Sequence, residues 1–173
     1  MSFVVVGYPE FSDADSEYIQ GVREKYDVRL FKVVKPHVTF VFPTEKLSAK
    51  ELTEHVAAKA KDFTIINILF DSVKTVEDHS KTYTHAFLIP SNGYAAIEQL
   101  HEALYTGELL SELRSDIPFT PHLGIGNDAN EQVMLRLAEQ INAGGIRIKG
   151  SIKTLTIAEF DGSKVTDIEQ VPL

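Results

Sequence analysis

Lys35-Pro36-His37-Val38-Thr39-Phe40-Val41 and Thr120-Pro121-His122-Leu123-Gly124-Ile125-Gly126 share one pattern: x-Pro-His-apolar-small-apolar, with a helical segment after it. Proline is tolerated where a strand begins, and the β-branched and aromatic residues that follow favour extended backbone. Side chains on a strand alternate between faces, so His37 and Thr39 point one way while Val38 and Phe40 point into a core. In the second stretch His122 takes the place of His37, and Thr120 lies on its face two residues earlier. One copy per half of the chain, behind similar elements, reads as an internal duplication. Two such halves packed about a pseudo-two-fold axis bring both histidines to one cleft.

The elements around the motifs follow from pattern. Residues 3–8 (FVVVGY) read as a short buried strand. Capping residues at 12–17, followed by Tyr18, Ile19, Val22 and Tyr26 at helical spacing, predict a helix near 14–27. The run 29–42 predicts extended chain, broken by Pro36 into a strand ending near 34 and another from 36 or 37. Ser48 caps a helix at 49–61, and strands at 63–78 and 83–90 flank a polar turn at Asp78–Lys81. A long helix at 94–113, with Ile97, Leu100, Leu104 and Leu113 in its apolar stripe, precedes a strand at 119–126 and a helix at 128–142. Strands at 146–160 and 164–171 close the chain around the Asp161-Gly162-Ser163 turn. Such an order admits α/β or α+β. The Pro-started strands and the terminal hairpin select α+β with mainly antiparallel pairing. No linker is long or low in complexity, so residues 1–173 are expected to form one domain.

Composition narrows the chemistry. The chain has 173 residues and no cysteine, which removes a disulfide framework, a thiolate nucleophile and any sulfur-ligated zinc or iron–sulfur site. A reducing cytoplasm is the expected location. The N-terminus lacks a signal-peptide pattern, and no stretch approaches the length of a membrane span. A formal net charge of −8 argues against duplex DNA as partner, because duplex binding neutralises many phosphates. It leaves room for one phosphate in a local pocket. Charge is also uneven, with 11 basic and 13 acidic groups in residues 1–86 against 6 and 12 in residues 87–173. Arg23, Lys25, Arg29, Lys32 and Lys35 gather just ahead of His37.

Two imidazoles facing one cleft form a matched acid–base pair. A pKa near 6.5 allows one ring to be neutral and the other protonated near pH 7. The neutral ring takes a proton from an attacking hydroxyl or water, and the protonated ring donates to the leaving oxygen. A hydroxyl such as that of Thr39 can hold a non-bridging phosphate oxygen, where charge gathers in the transition state. Phosphodiester cleavage needs these parts and no metal. No histidine shows H-x-x-x-H or His/Asp ligand spacing, so neither a metal nor another cofactor is expected.

The paired His-x-[Thr/Ser]-apolar motifs, 85 positions apart, resemble the 2H phosphoesterase superfamily, which includes RNA 2′,3′-cyclic phosphodiesterases and the 2′-5′ RNA ligases. The resemblance implies a bilobal α+β fold, with two mainly antiparallel sheets flanking a central cleft and helices outside. It implies His37 and His122 as the acid and base, Thr39 as a phosphate holder, and a nucleotide or RNA terminus as partner. His37-Val38-Thr39-Phe40 matches the family pattern fully. His122-Leu123-Gly124-Ile125 has Gly124 where the family has Thr or Ser. Losing a hydrogen bond to a charged group costs about 1.5–3 kcal/mol, so reduced activity is expected unless something replaces it. Thr120 is a candidate replacement, and the absent Cβ at Gly124 can also let a backbone N–H or a larger substrate approach.

Among further binding candidates, Lys35 and Arg29 lie in the basic cluster and would steer a phosphate toward the cleft. Tyr83 and Phe119 are candidates for stacking on a base, and His85 for lining the cleft. His55 and His101 fall inside helical patterns, and His79 lies in a polar turn. Nothing demands an oligomer, so a monomer is expected. The competing function is a non-catalytic nucleotide or RNA-end binding module on the same fold.

Overall fold

A computed structural model describes residues 2–173. The β-branched run at the start forms β1 (Ser2–Gly7), and β2 (Glu10–Phe11) is a short strand after it. Ser12 caps α1 (Asp13–Tyr26), its hydroxyl accepting from the Asp15 amide at 3.1 Å. The first motif leads into β3 (Val38–Thr44). Ser48 then starts α2 (Ala49–Ala60) through a capping box with Glu51. A hairpin of β4 (Ile66–Glu77) and β5 (Thr84–Asn92) precedes α3 (Tyr94–Leu104), and the second motif leads into β6 (Leu123–Asp128). The chain ends with α4 (Glu131–Ala143), β7 (Ile148–Ile152), β8 (Thr154–Phe160) and β9 (Val165–Pro172). One sheet has the order β3-β1-β8-β9 and the other β2-β7-β4-β5-β6, with every neighbouring pair antiparallel. The α+β class read from the motifs is the observed one.

Both motif strands sit at sheet edges, β3 in the first sheet and β6 in the second. Directly opposed residues on antiparallel strands share a face. The registers therefore place Thr39, Val6 and Thr156 in one row across β3, β1 and β8. They place Gly124, Phe87 and Lys74 in the corresponding row across β6, β5 and β4. The opposite faces carry the core, which is continuous from Val5, Val38 and Phe40 through Ile152 and Ile66 to Phe70, Leu88 and Leu123. Gly7 permits that continuity. A Cβ there would stand 2.8 Å from Ile152 Cγ2 and 2.9 Å from Phe40 Cε2, so a side chain would push the sheets apart.

Four segments differ from the sequence reading. Residues 29–34 are not a strand but a series of turns, because the buried Arg23 guanidinium draws the carbonyls of Leu30 and Val34 to itself at 3.3 and 2.9 Å. The helix expected to reach 113 stops at Leu104. Gly107 at φ +61° then starts a short 3₁₀ turn that buries Leu109 and leaves Leu113 partly exposed. The strand expected at 146–160 is two strands: β7 belongs to one sheet and β8 to the other, with Lys153 between them. The second motif strand also begins later than expected, at Leu123, since residues 119–122 run irregularly into it.

Candidate active site

The two motif histidines are held in the same way. Nδ1 of His37 lies 2.8 Å from the carbonyl oxygen of Lys35, and Nδ1 of His122 lies 2.6 Å from that of Thr120. A carbonyl can only accept, so each Nδ1 carries the proton and each Nε2 is left for chemistry. The x-Pro-His order builds this tie: the fixed φ of the proline keeps the carbonyl two residues back beside the ring. The repeated sequence pattern is thus a repeated local structure.

Each ring is surrounded by protein yet keeps part of its surface open. Burial disfavours the charged form and lowers the pKa of His37 to about 4. The bond to the Lys35 carbonyl opposes that shift, while the charges of Arg23 and His122 add to it. Burial also lowers His122, opposed by its bond to Thr120 and aided by the charge of His85. His37 and His122 therefore lie within electrostatic reach of each other.

The walls around the pair are unlike. Thr39 is half-buried two residues beyond His37, while its neighbours Val38 and Phe40 are fully buried, so its hydroxyl emerges on the face away from the core. On the other wall Phe87 stacks on His122 at 3.8 Å and 24°, and His85 stacks on Phe87 at 5.5 Å and 24°. The column fixes the plane of the His122 ring. Gly124 lies beside it with open space above: a Cβ there would find only Phe87 Cε1, at 4.0 Å.

The expected accessory residues divide. Thr120 is half-buried and serves the site through its carbonyl. Lys35 is exposed, and its ammonium pairs with Asp167 at 3.4 Å beside the Tyr8 ring. The Tyr8 phenol donates to the same carboxylate at 2.7 Å, and burial, with that bond, raises its pKa. Because 29–34 is a turn, Lys35 does not share a strand face with His37. Arg29 lies over the Tyr83 ring at 4.0 Å, so one face of Tyr83 is already covered. Phe119 stacks on His101 at 3.6 Å and 3°, which anchors the approach to the second motif. His101 through Nδ1 and His55 through Nε2 donate to the backbone carbonyls of Phe40 and Leu104, each at 2.8 Å, and belong to the packing.

Sequence reasoning missed a buried polar network beneath His37. Arg23, counted in the basic cluster ahead of His37, is 2% exposed and pairs with Asp27 at 2.9 Å. Asp27 also accepts from Asn127 on β6, which links α1 to the second motif strand. The i,i+4 Arg–Asp spacing was the available signal. Phe87 and His85 were equally hidden, because only the β5–β6 register brings them to His122. A groove of about 560 Å³ between α1 and α4, lined by Tyr18, Val22, Tyr26, Leu137 and Ile141, contains neither motif. Among the described residues no group of three or more His, Asp or Glu side chains is arranged to hold a metal ion, and no helix is long and apolar enough to cross a membrane.

Comparison with known proteins supplies context for this geometry. The family model of the 2′-5′ RNA ligase superfamily matches residues 11–164. No curated protein matches the chain. Among solved structures, Escherichia coli LigT complexed with NADP+ is similar at a TM-score of 0.60 and 14% identity, covering 99% of this chain and 97% of that one. Escherichia coli LigT complexed with 3′-AMP is similar at 0.56 and 15%, covering 99% and 97%. Usb1 of Kluyveromyces marxianus is similar at 0.56 and 9%, covering 99% and 98%. At these identities the likeness is one of fold.

Proposed function

The chain belongs to the 2′-5′ RNA ligase superfamily of 2H phosphoesterases, and we propose on that footing that it is a phosphodiesterase acting on 2′,3′-cyclic phosphate ends of RNA or small nucleotides. The observation that carries this reading is the matched tethering of His37 and His122, which leaves both Nε2 atoms for proton transfer, with the charge of His122 felt at His37. Similar structures contain NADP+ and 3′-AMP, which fits a nucleotide as ligand. The equivalent edge positions of β3 and β6 support an origin by duplication, with two pseudo-symmetric lobes in one domain.

His37, with the buried Arg23 charge nearby, stays neutral and accepts a proton from water as its oxygen attacks phosphorus. His122 in its protonated form gives a proton to the ribose oxygen whose bond to phosphorus breaks. One P–O bond forms and one breaks, and the pair ends with its protons exchanged. The Thr39 hydroxyl donates to a non-bridging oxygen. The same residues run the reverse direction with the roles of the rings interchanged, which would serve reversible cleavage and ligation of a 2′-5′ linkage. None of these steps requires a metal.

Incubation of the protein with 2′,3′-cyclic nucleotides and cyclic-ended oligonucleotides in EDTA tests the reading. Turnover to a nucleoside monophosphate end is the expected result. Saturable binding without turnover would replace the enzyme with a binding module.

The depressed imidazoles set the pH dependence. A ring with a lowered pKa takes its proton only in acid, so the competent state, one ring charged and one neutral, fills as pH falls below the ordinary imidazole value of about 6.5. It empties again near pH 4, where His37 gains its own proton. A profile of kcat/KM should therefore peak between those limits. A peak above neutrality would contradict the environment described for the pair.

A further inference from the structure

Thr39 offers a phosphate one hydroxyl from the first wall, and Gly124 offers no side chain from the second. We propose that Lys74 is a phosphate-binding residue that takes over the contact Gly124 lacks. This rests on the phosphodiesterase reading and adds to its site a residue from a strand that carries neither motif.

The register makes the case. Lys74 opposes Phe87, and Phe87 opposes Gly124, so the three share the face on which Phe87 stacks against His122. Lys74 is exposed, whereas Val73 and Leu88 on the other face are buried, so its stem leaves the sheet on the histidine side. Two strand spacings, about 10 Å, separate its Cα from that of Gly124. A flexible four-carbon stem and the width of a phosphate group span that gap together. The space above Gly124 is open to receive the phosphate.

Charge points the same way. The paired residues that share the face with Lys74 on β4 and β5 are Ser72, Val76, His85, Phe87 and Ile89, none a carboxylate; Asp71 stands outside the pairing in the bulge, and Asp78, beyond the end of β4, acts on His85. The cations singled out from sequence are committed elsewhere, Lys35 to Asp167 and Arg29 to Tyr83. On the first sheet the corresponding position is Thr156, which is neutral and buried. The two walls thus hold the phosphate by different chemistry, a hydroxyl on one and an ammonium on the other.

Lys74→Gln, Gly124→Thr and the double variant test this on a 2′,3′-cyclic nucleotide. Lys74→Gln should lower kcat/KM by about 10–100-fold, the size of a lost hydrogen bond to a charged group. It should also flatten the dependence on ionic strength, with Tm unchanged because the side chain is exposed. Gly124→Thr should recover most of that loss in the Lys74→Gln background. A Lys74→Gln variant within twofold of the parent overturns the proposal, and so does a loss that Thr at 124 leaves intact. If the parent turns over no cyclic substrate, the phosphodiesterase reading fails on its own. The role of Lys74 is then read from affinity for a nucleoside 3′-monophosphate: about tenfold weaker binding in Lys74→Gln supports it, and equal affinity overturns it.

Discussion

Replacing either His37 or His122 by asparagine should cut turnover of a 2′,3′-cyclic nucleotide by about 10²–10⁴-fold, the usual share of a positioned acid or base. Asparagine is the informative choice. Its amide can still donate to the carbonyl of Lys35 or Thr120, where Nδ1 now does, so the local backbone tie survives. What disappears is Nε2, the atom assigned to proton transfer. Folding should therefore be nearly unaffected at His37, with some loss at His122, where the 3.8 Å stack on Phe87 is also removed. The double variant should be little worse than the worse single, since an acid and a base acting in one step are not additive. Steady-state kinetics on the three proteins decides the matter. If either single variant stays within tenfold of the parent, that histidine is not part of the proton transfer.

The second large effect is expected at Asp27. Removing its carboxylate with Asp27→Ala strands the Arg23 guanidinium in a nearly dry site and deprives Asn127 of its acceptor. Breaking a buried pair from one side costs about 3–5 kcal/mol, which in a domain of this size is about 10 °C of Tm. Burial raises the pKa of Asp27 even though the Arg23 charge and hydrogen bonds oppose the shift, so loss of water dominates at this carboxylate. Activity should fall with stability. Arg23 holds the carbonyls of Leu30 and Val34, and the next residue, Lys35, supplies the carbonyl that orients His37. An exposed pair gives the contrast: Glu54→Ala, which frees Lys50, should leave Tm unchanged within error. Thermal unfolding followed by circular dichroism checks both, and an unchanged Tm for Asp27→Ala would remove the network from the account of the site.

The histidine pair was legible because the local order that places each ring lies within three consecutive residues. An alternating strand then tells which neighbours share its face, and Val38 and Phe40 are indeed buried opposite Thr39. Residues 29–34 misled because their β-branched and aromatic content arises from packing a turn around Arg23. Composition cannot separate that turn from a strand when the organising side chain lies several positions back. The switch of sheets at Lys153 did leave a trace. Positions in the main core run Ile148 and Ile152, then Leu155 and Ile157, a slip in phase that a continuous strand does not make. Phe87 and Lys74 left none, since their nearness to the site depends on the pairing of three strands and on nothing adjacent in the chain.

The switch at Lys153 also governs the order in which the molecule can assemble. The second sheet draws on residues 10–152, so its strands can pair without residues 153–173. The first sheet waits, because β1 must pair with β8, as in Ser2 with Phe160, across almost the whole length of the chain. Closing so long a loop is entropically costly and slow. A refolding chain would thus present His122 on a formed sheet while the wall bearing His37 still lacked half its strands. The two histidines meet only once β8 and β9 have joined that wall, so the paired site is a late event of folding.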